Sequence, residues 1–396
     1  MAGSAALVEC AVSGEAEVER IASTPRPDWQ AAVEARGLKW HTGQTPYWSE
    51  DAYYQFTTAQ IETLERATNE LHERCLEAVQ HVIDEKRYAE LKIPEHAIPL
   101  ITASWKEEPP SVYGRFDLAY DGTSPPKMLE YNADTPTSLL EVSVIQWDWL
   151  QALHPGADQF NSVHERLVDY WKSVQGDLPS SGPLGPLVHF ASVDDLEDGM
   201  TAAYLAETAA QAGLQVKLLA MADIGWDPQS RELCDLQDAR LDTLFKLYPW
   251  EWLMHEPFGD HLRVAKTVII EPAWKMVLSN KGILPILWEM FPGHGNLLPS
   301  YFDEPHGMFE YAKKPLLSRE GANVTVHTMK EHVESTGEYG AEGYVFQELA
   351  PIPEFDGKRP IIGSWIIGQE AAGIGVREAD GWVTGNTSRF VPHLFR

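Results

Sequence analysis

Tyr113-Gly114-Arg115-Phe116-Asp117-Leu118-Ala119-Tyr120 runs into Asp121-Gly122-Thr123-Ser124-Pro125-Pro126, and Lys127-Met128-Leu129-Glu130-Tyr131-Asn132 follows. Two alternating runs around a cluster of turn-forming residues read as a β-hairpin. Side chains two apart on a strand share a face. Arg115 and Asp117 therefore point one way, and Phe116 and Leu118 the other. Glu130 and Asn132 likewise oppose Leu129 and Tyr131. A turn symmetric about residues 123 and 124 sets Asp117 across from Glu130 and Arg115 across from Asn132. Directly opposed residues of an antiparallel pair share a face, so the four polar groups are expected to converge over an apolar backing. Facing carboxylates are unfavourable unless something positive sits between them. Two carboxylates and an amide oxygen suit Mg²⁺, with Arg115 beside them for a phosphoryl group or a carboxylate. An exposed salt-bridge patch accounts for the same spacing, and hairpin geometry leaves both readings open.

Downstream, a helix is expected from Ser138, with Glu141 completing a capping box and Val142, Ile145, Trp149 and Leu150 continuing it. Upstream, Ile61, Leu64, Thr68, Leu71, Cys75, Ala78 and Val82 form one face of a long helix, opened by a Thr57/Gln60 capping box. Residues 1–28 read as a flexible leader, punctuated by Ser23-Thr24-Pro25-Arg26-Pro27. A Gly-, Pro- and Ser-rich linker at 176–186 precedes strands at 187–192, 215–219 and 244–248 and a helix at 198–212. That alternation predicts a small parallel-sheet domain ending near residue 265. Strands are expected at 267–271, 311–317, 324–328, 344–349, 360–367 and 373–378, with one helix at 281–291, as a mixed α+β unit with an antiparallel sheet. Residues 29–175 and 266–396 then form one catalytic region, with an α/β domain at 187–265 inserted on its substrate side.

The 396 residues exceed what one hydrophobic core accommodates. With 31 basic against 59 acidic residues, the net charge of −28 repels nucleic-acid phosphates and attracts cations such as Mg²⁺ or polyamines. The same charge also serves solubility. Fourteen tryptophans supply core or pocket walls. Cys10, Cys75 and Cys234 are far apart and form no CxxC, which argues against a disulfide framework or a structural zinc site. No run of 18 apolar residues and no signal peptide is evident, so no membrane partner and a cytoplasmic location are expected. The oligomeric state stays open. There is no P-loop, no GxGxxG in a βαβ setting and no HExxH. Lys281 at a helix start, Lys314 within a strand and the connection Ser318-Arg319-Glu320-Gly321-Ala322-Asn323 are weak pointers to phosphate handling when taken singly.

Arg115-Phe116-Asp117 together with Leu129-Glu130-Tyr131-Asn132-Ala133-Asp134-Thr135-Pro136-Thr137-Ser138 resembles the synthetase domain of the glutathionylspermidine synthetases. Asn280-Lys281-Gly282-Ile283-Leu284-Pro285-Ile286-Leu287-Trp288 and Tyr311-Ala312-Lys313-Lys314-Pro315 extend the resemblance over roughly residues 30–396, in the family's order. The resemblance implies an ATP-grasp fold of the glutathione synthetase kind, with ATP held between two antiparallel sheets. It implies ATP- and Mg²⁺-dependent ligation of a small carboxylate to an amine through an acyl phosphate. Carried over residue by residue, Asp117, Glu130 and Asn132 match the Mg²⁺ ligands, and Arg115 the arginine at the reacting groups. Lys281, Lys314 and Arg377 match phosphate-side cations; Glu320 and Gly321 match a nucleotide-contacting loop; Gln347, Glu348, Leu349 and Ala350 match the strand along the adenine.

The departures concern substrates. The amidase domain of the bifunctional members is not seen, so no cysteine hydrolase activity is expected. Thr135 and Thr137 replace serines near the substrate, and Glu197 and Asp198 only approximate the polyamine-binding acidic pair. Residues 246–251 keep the lysine and aromatics, with Trp250 expected beside the substrate, but lack the threonines that help hold glutathione. A binding or regulatory family member with a diverged substrate site, and an acidic polyamine-binding module, are the competing expectations.

Overall fold

The hairpin occupies Tyr113–Ala119 and Lys127–Asn132 in the computed structural model, which describes residues 18–43, 45–180, 182–385 and 388–396. Arg115 pairs with Asn132 and Asp117 with Glu130, and a register shift follows between Asp117 and Leu118. The hairpin forms one side of a five-stranded antiparallel sheet, continued by Arg359–Ile367, Glu370–Ala379 and Arg389–Val391. Phe116 stacks on Tyr131, its cross-strand partner, at 3.8 Å between centroids. This apolar face is buried under the helix Thr58–Glu85 in one core. The helix starts at the expected Thr57/Gln60 capping box, and all seven residues of its expected face are buried. The opposite, polar face of the hairpin is thereby left to the site.

A second five-stranded antiparallel sheet runs Ser300–Phe302, Tyr344–Glu348, Tyr311–Pro315, Thr325–His327, His332–Glu334. Its side chains close the free edge of the hairpin. Lys314 Nζ donates to Leu129 O at 2.9 Å, and Gln347 Nε2 donates to Met128 O at 3.0 Å. An edge strand with satisfied carbonyls is protected from stray pairing.

A third, four-stranded sheet is wholly parallel, in the order Val268–Ile270, Thr243–Leu247, Leu187–Ser192, Gln215–Ala220. The strand expected at 267–271 thus belongs to this sheet, and the boundary near 265 falls one strand short. Helix Leu196–Gln211 crosses it, with Asp195 capping the amides of Glu197 and Asp198.

Two further expectations need correction. Residues Glu19–Ala22, assigned to the leader, form a strand on Ala52–Gln55. Arg20 anchors it by donating to the buried Glu378 carboxylate at 2.8 and 3.0 Å, a long-range partner that no local pattern reveals. Residues 1–17, including Cys10, lie outside the described residues. No capping box forms at Ser138, which has a φ of 70°; its hydroxyl and the Glu141 carboxylate both meet the Tyr47 hydroxyl, at 3.0 and 2.7 Å. Glu141–Ile145 then forms a π-helical turn before Gln146–Leu153. Cys75 and Cys234 are free thiols. Among the described residues no helix is long and apolar enough to cross a membrane.

Candidate active site

The four polar hairpin residues meet as strand parity requires. Arg115 Nε donates to Asp117 Oδ1 at 2.7 Å, and its Nη1 donates to Thr137 O at 2.8 Å. Burial works against the Arg115 charge, but the Asp117 carboxylate outweighs it and raises the guanidinium pKa. Lys281 Nζ lies 3.1 Å from Glu130 Oε2 and donates to Ser318 O at 2.6 Å. Asn132 Nδ2 donates to Glu130 Oε1 at 3.1 Å, which orients the amide. Burial would raise the Glu130 pKa, yet the Lys281 and Lys314 ammonium groups hold it down to about 2. Lys314, hydrogen-bonded to Gln347 Oε1 at 2.7 Å, is itself lowered by burial to about 8.

Among the described residues no cluster of three or more His, Cys, Asp or Glu is placed to hold a metal. The hairpin offers two opposed carboxylates and an amide oxygen instead. That donor set fits Mg²⁺ in its usual enzyme mode, one or two carboxylates with substrate phosphates and water completing the shell.

Two spaces open from this cluster. A slot between the two antiparallel sheets is lined by Asp117, Leu129, Glu130, Lys281, Lys314, Gly321, Gln347, Glu348, Leu349 and Ala350. Its walls include the apolar cluster of Ala312, Val324 and Val326 as well as the charged Asp117, Glu130, Lys281, Lys314 and Glu348. A second, polar cleft of about 180 Å³ faces the parallel sheet. Arg115, Asp117, Glu130, Asn132, Thr135, Thr137, Asp198, Glu320, Gly321 and Arg377 line it. Asp117, Glu130 and Gly321 border both spaces. Glu320 and Gly321 have φ of 53° and 69°, and a Cβ on Gly321 would meet Thr384 O at 2.5 Å, so only glycine fits there.

Two neighbouring acidic residues at the start of helix Leu196–Gln211 are held uncharged more readily than usual. Burial raises the carboxyl pKa of Asp198 to about 6 and also raises that of Glu197, which hydrogen-bonds Thr137. Behind them, burial and the Glu197 charge push Glu141 up to about 7. Because the folded pKa lies above the unfolded one, protonated Glu141 stabilises the fold at low pH. That contribution is lost as pH rises through about 7. It amounts to at most roughly 3 kcal/mol. Thermal melts of the wild type should fall between pH 5 and pH 8 for this reason, and Glu141→Gln should flatten the slope. An equal slope in both proteins would contradict the assignment.

Trp250, expected beside the substrate, is instead packed in the core at 1% exposure. Its indole N–H donates to Glu271 O at 3.0 Å, and Lys246 Nζ lies 4.6 Å from its ring centroid. Trp252 takes the position at the cleft. Two further residues escaped the sequence reading. Arg319 donates to Thr135 Oγ1 at 2.8 Å and Glu251 Oε1 at 2.7 Å, with its guanidinium 5.5 Å from the Trp252 centroid. Arg319 lay inside the 318–323 connection and Glu251 inside the 246–251 segment, but nothing local marks their pairing across 68 residues.

A family model described as glutathionylspermidine synthase preATP-grasp matches residues 20–396. A provisionally named acid–amine ligase of Haemophilus influenzae is 44% identical over 363 residues, covering 88% of this chain and 91% of that protein. Trypanothione synthetase of Crithidia fasciculata is 32% identical over 356 residues, covering 81% of this chain and 53% of that protein. The bifunctional glutathionylspermidine synthetase/amidase of Escherichia coli is 27% identical over 399 residues, covering 92% of this chain and 62% of that protein. The chain therefore spans nearly all of the first relative and a little over half of the other two. Among solved structures, a glutathione synthetase-like effector of Globodera pallida in its apo form superposes with a TM-score of 0.57 at 8% identity, covering 93% of this chain and 96% of that one. That likeness supports a glutathione synthetase-like fold.

Proposed function

The chain belongs to the glutathionylspermidine synthase family, and from that premise we propose that it is an ATP- and Mg²⁺-dependent acid–amine ligase. The observation that carries this reading is the convergence of Arg115, Asp117, Glu130 and Asn132 with Lys281 and Lys314 where the slot and the polar cleft share Asp117 and Glu130. In this reading the two antiparallel sheets are the halves of an ATP-grasp fold. Residues 29–175 and 271–396 form the catalytic region, and the parallel-sheet domain at 187–270 supplies the substrate side.

The apolar slot takes the nucleotide base, with Gln347, Glu348, Leu349 and Ala350 along one wall. Lys281 and Lys314 face its phosphates, and Glu320, Gly321 and Arg377 bound them from the cleft side. Asp117, Glu130 and Asn132 would hold Mg²⁺, which neutralises phosphate charge when bound. Arg115 orients the substrate carboxylate for attack on the γ-phosphorus. An acyl phosphate forms and ADP leaves; the amine nitrogen then attacks the acyl carbon, phosphate departs and the nitrogen loses a proton. The residues work by positioning and charge neutralisation. Thr135, Thr137, Glu197, Asp198 and Trp252 border the substrates, proposed as a glutathione-like or other small peptide carboxylate and a polyamine or other amine. Incubation with ATP, Mg²⁺ and such pairs should release phosphate in step with amide product. Failure of every carboxylate–amine pair to raise turnover above background would reject the ligase.

A further inference from the structure

We propose that Trp382 is the roof of the base slot and touches the nucleotide base directly, with Glu331 and Arg359 holding its indole in place; this rests on the nucleotide reading above. Trp382 and Val383 lie in the loop after strand Glu370–Ala379 of the hairpin sheet. They nonetheless pack against Ala312, Val324 and Val326, which belong to the second sheet and its approach. The roof therefore closes the slot from one sheet onto the other.

The indole is fixed at its edge and on its face. Trp382 Nε1 donates to Glu331 Oε1 at 2.6 Å, from the turn that joins Thr325–His327 to His332–Glu334. The Arg359 guanidinium lies 4.3 Å from the ring centroid, and Arg359 is paired with Glu354 at 2.6 Å. The roof also touches the phosphate end, because a Cβ on Gly321 would meet Val383 Cγ1 at 2.5 Å. Trp382 lines the slot itself. A flat indole, oriented at two points and bordering an apolar slot, suits contact with the face of a purine.

Calorimetry on the full chain tests this with three probes: ADP, adenosine and inorganic tripolyphosphate. Trp382→Ala should weaken ADP and adenosine alike, on the order of tenfold or more. Trp382→Phe should restore most of that loss, and tripolyphosphate, which has no base, should bind all three proteins equally. ADP binding unchanged in Trp382→Ala would overturn the roof. So would an equal loss of tripolyphosphate, which would mark a collapsed loop. If Trp382→Ala does not fold, Glu331→Ala, which removes the acceptor of the indole N–H, should weaken ADP severalfold while sparing tripolyphosphate, and no weakening would overturn the roof. Absence of any ADP binding by the wild type would remove the nucleotide reading, and this inference with it.

Discussion

Glu130→Gln should lower ATP-dependent phosphate release on the order of 10²–10³-fold, the scale on which preorganised charge acts at a reacting group. Glu130 lies 3.1 Å from the Lys281 ammonium, accepts from Asn132 at 3.1 Å and faces Asp117 across the hairpin. Its carboxylate is held ionised down to about pH 2, so at neutral pH it carries a full charge for substitution to remove. Glutamine keeps the shape and an oxygen donor but loses that charge. Half of the carboxylate pair proposed for Mg²⁺ then disappears, and Lys281 and Lys314 lose the negative group that balances them. The strand is set by the Phe116–Tyr131 stack and backbone pairing rather than by this carboxylate. Far-ultraviolet circular dichroism should therefore be unchanged, and the lost turnover should not return at high Mg²⁺. Wild-type turnover in Glu130→Gln would mean that the hairpin is not the phosphoryl site.

The largest stability effect is expected at Asp134→Ala. Asp134 and Lys246 are both fully buried and meet at 2.7 Å. The second Asp134 oxygen accepts from the Trp250 amide at 2.9 Å. Removing the carboxylate strands a buried ammonium and an amide donor together. Breaking one partner of a buried pair costs about 3–5 kcal/mol, whereas replacing both by apolar groups is often neutral. Burial already lowers the Lys246 pKa, with the Asp134 charge opposing it, so losing that charge should lower it further in the variant. Urea unfolding should show the loss, and Asp134→Ala combined with Lys246→Met should recover most of it. A single-variant loss below about 1 kcal/mol would place the pair among weakly coupled surface contacts. The pair also joins the parallel sheet, through Lys246, to the chain entering Thr135 and Thr137. The same substitution should therefore disturb the cleft.

The hairpin register was legible because strand parity has a fixed period and the turn has a countable length. The Thr57/Gln60 cap and the buried face of the long helix were legible because they are local. What escaped depends on partners distant in the chain. Glu19–Ala22 is a strand because Arg20 reaches Glu378. Ser138 and Glu141 abandon a capping box because Tyr47 sits between them. Trp250 and Trp252 lie on one short helix, and residues two apart there point roughly 200° from each other. Composition identifies an aromatic segment, but only the packing of Trp250 under Glu271 decides which ring reaches the cleft. Arg319 and Glu251 pair across the site for the same reason.

Hydroxylamine trapping reads the proposed acyl phosphate without knowledge of the natural amine. Full-length protein with ATP, Mg²⁺, hydroxylamine and a panel of γ-glutamyl peptides and small carboxylates should yield a hydroxamate of one panel member, in equal amount to the phosphate released. Phosphate released without any hydroxamate, or no carboxylate-dependent phosphate at all, would contradict ligation at the Arg115, Asp117, Glu130 and Asn132 cluster.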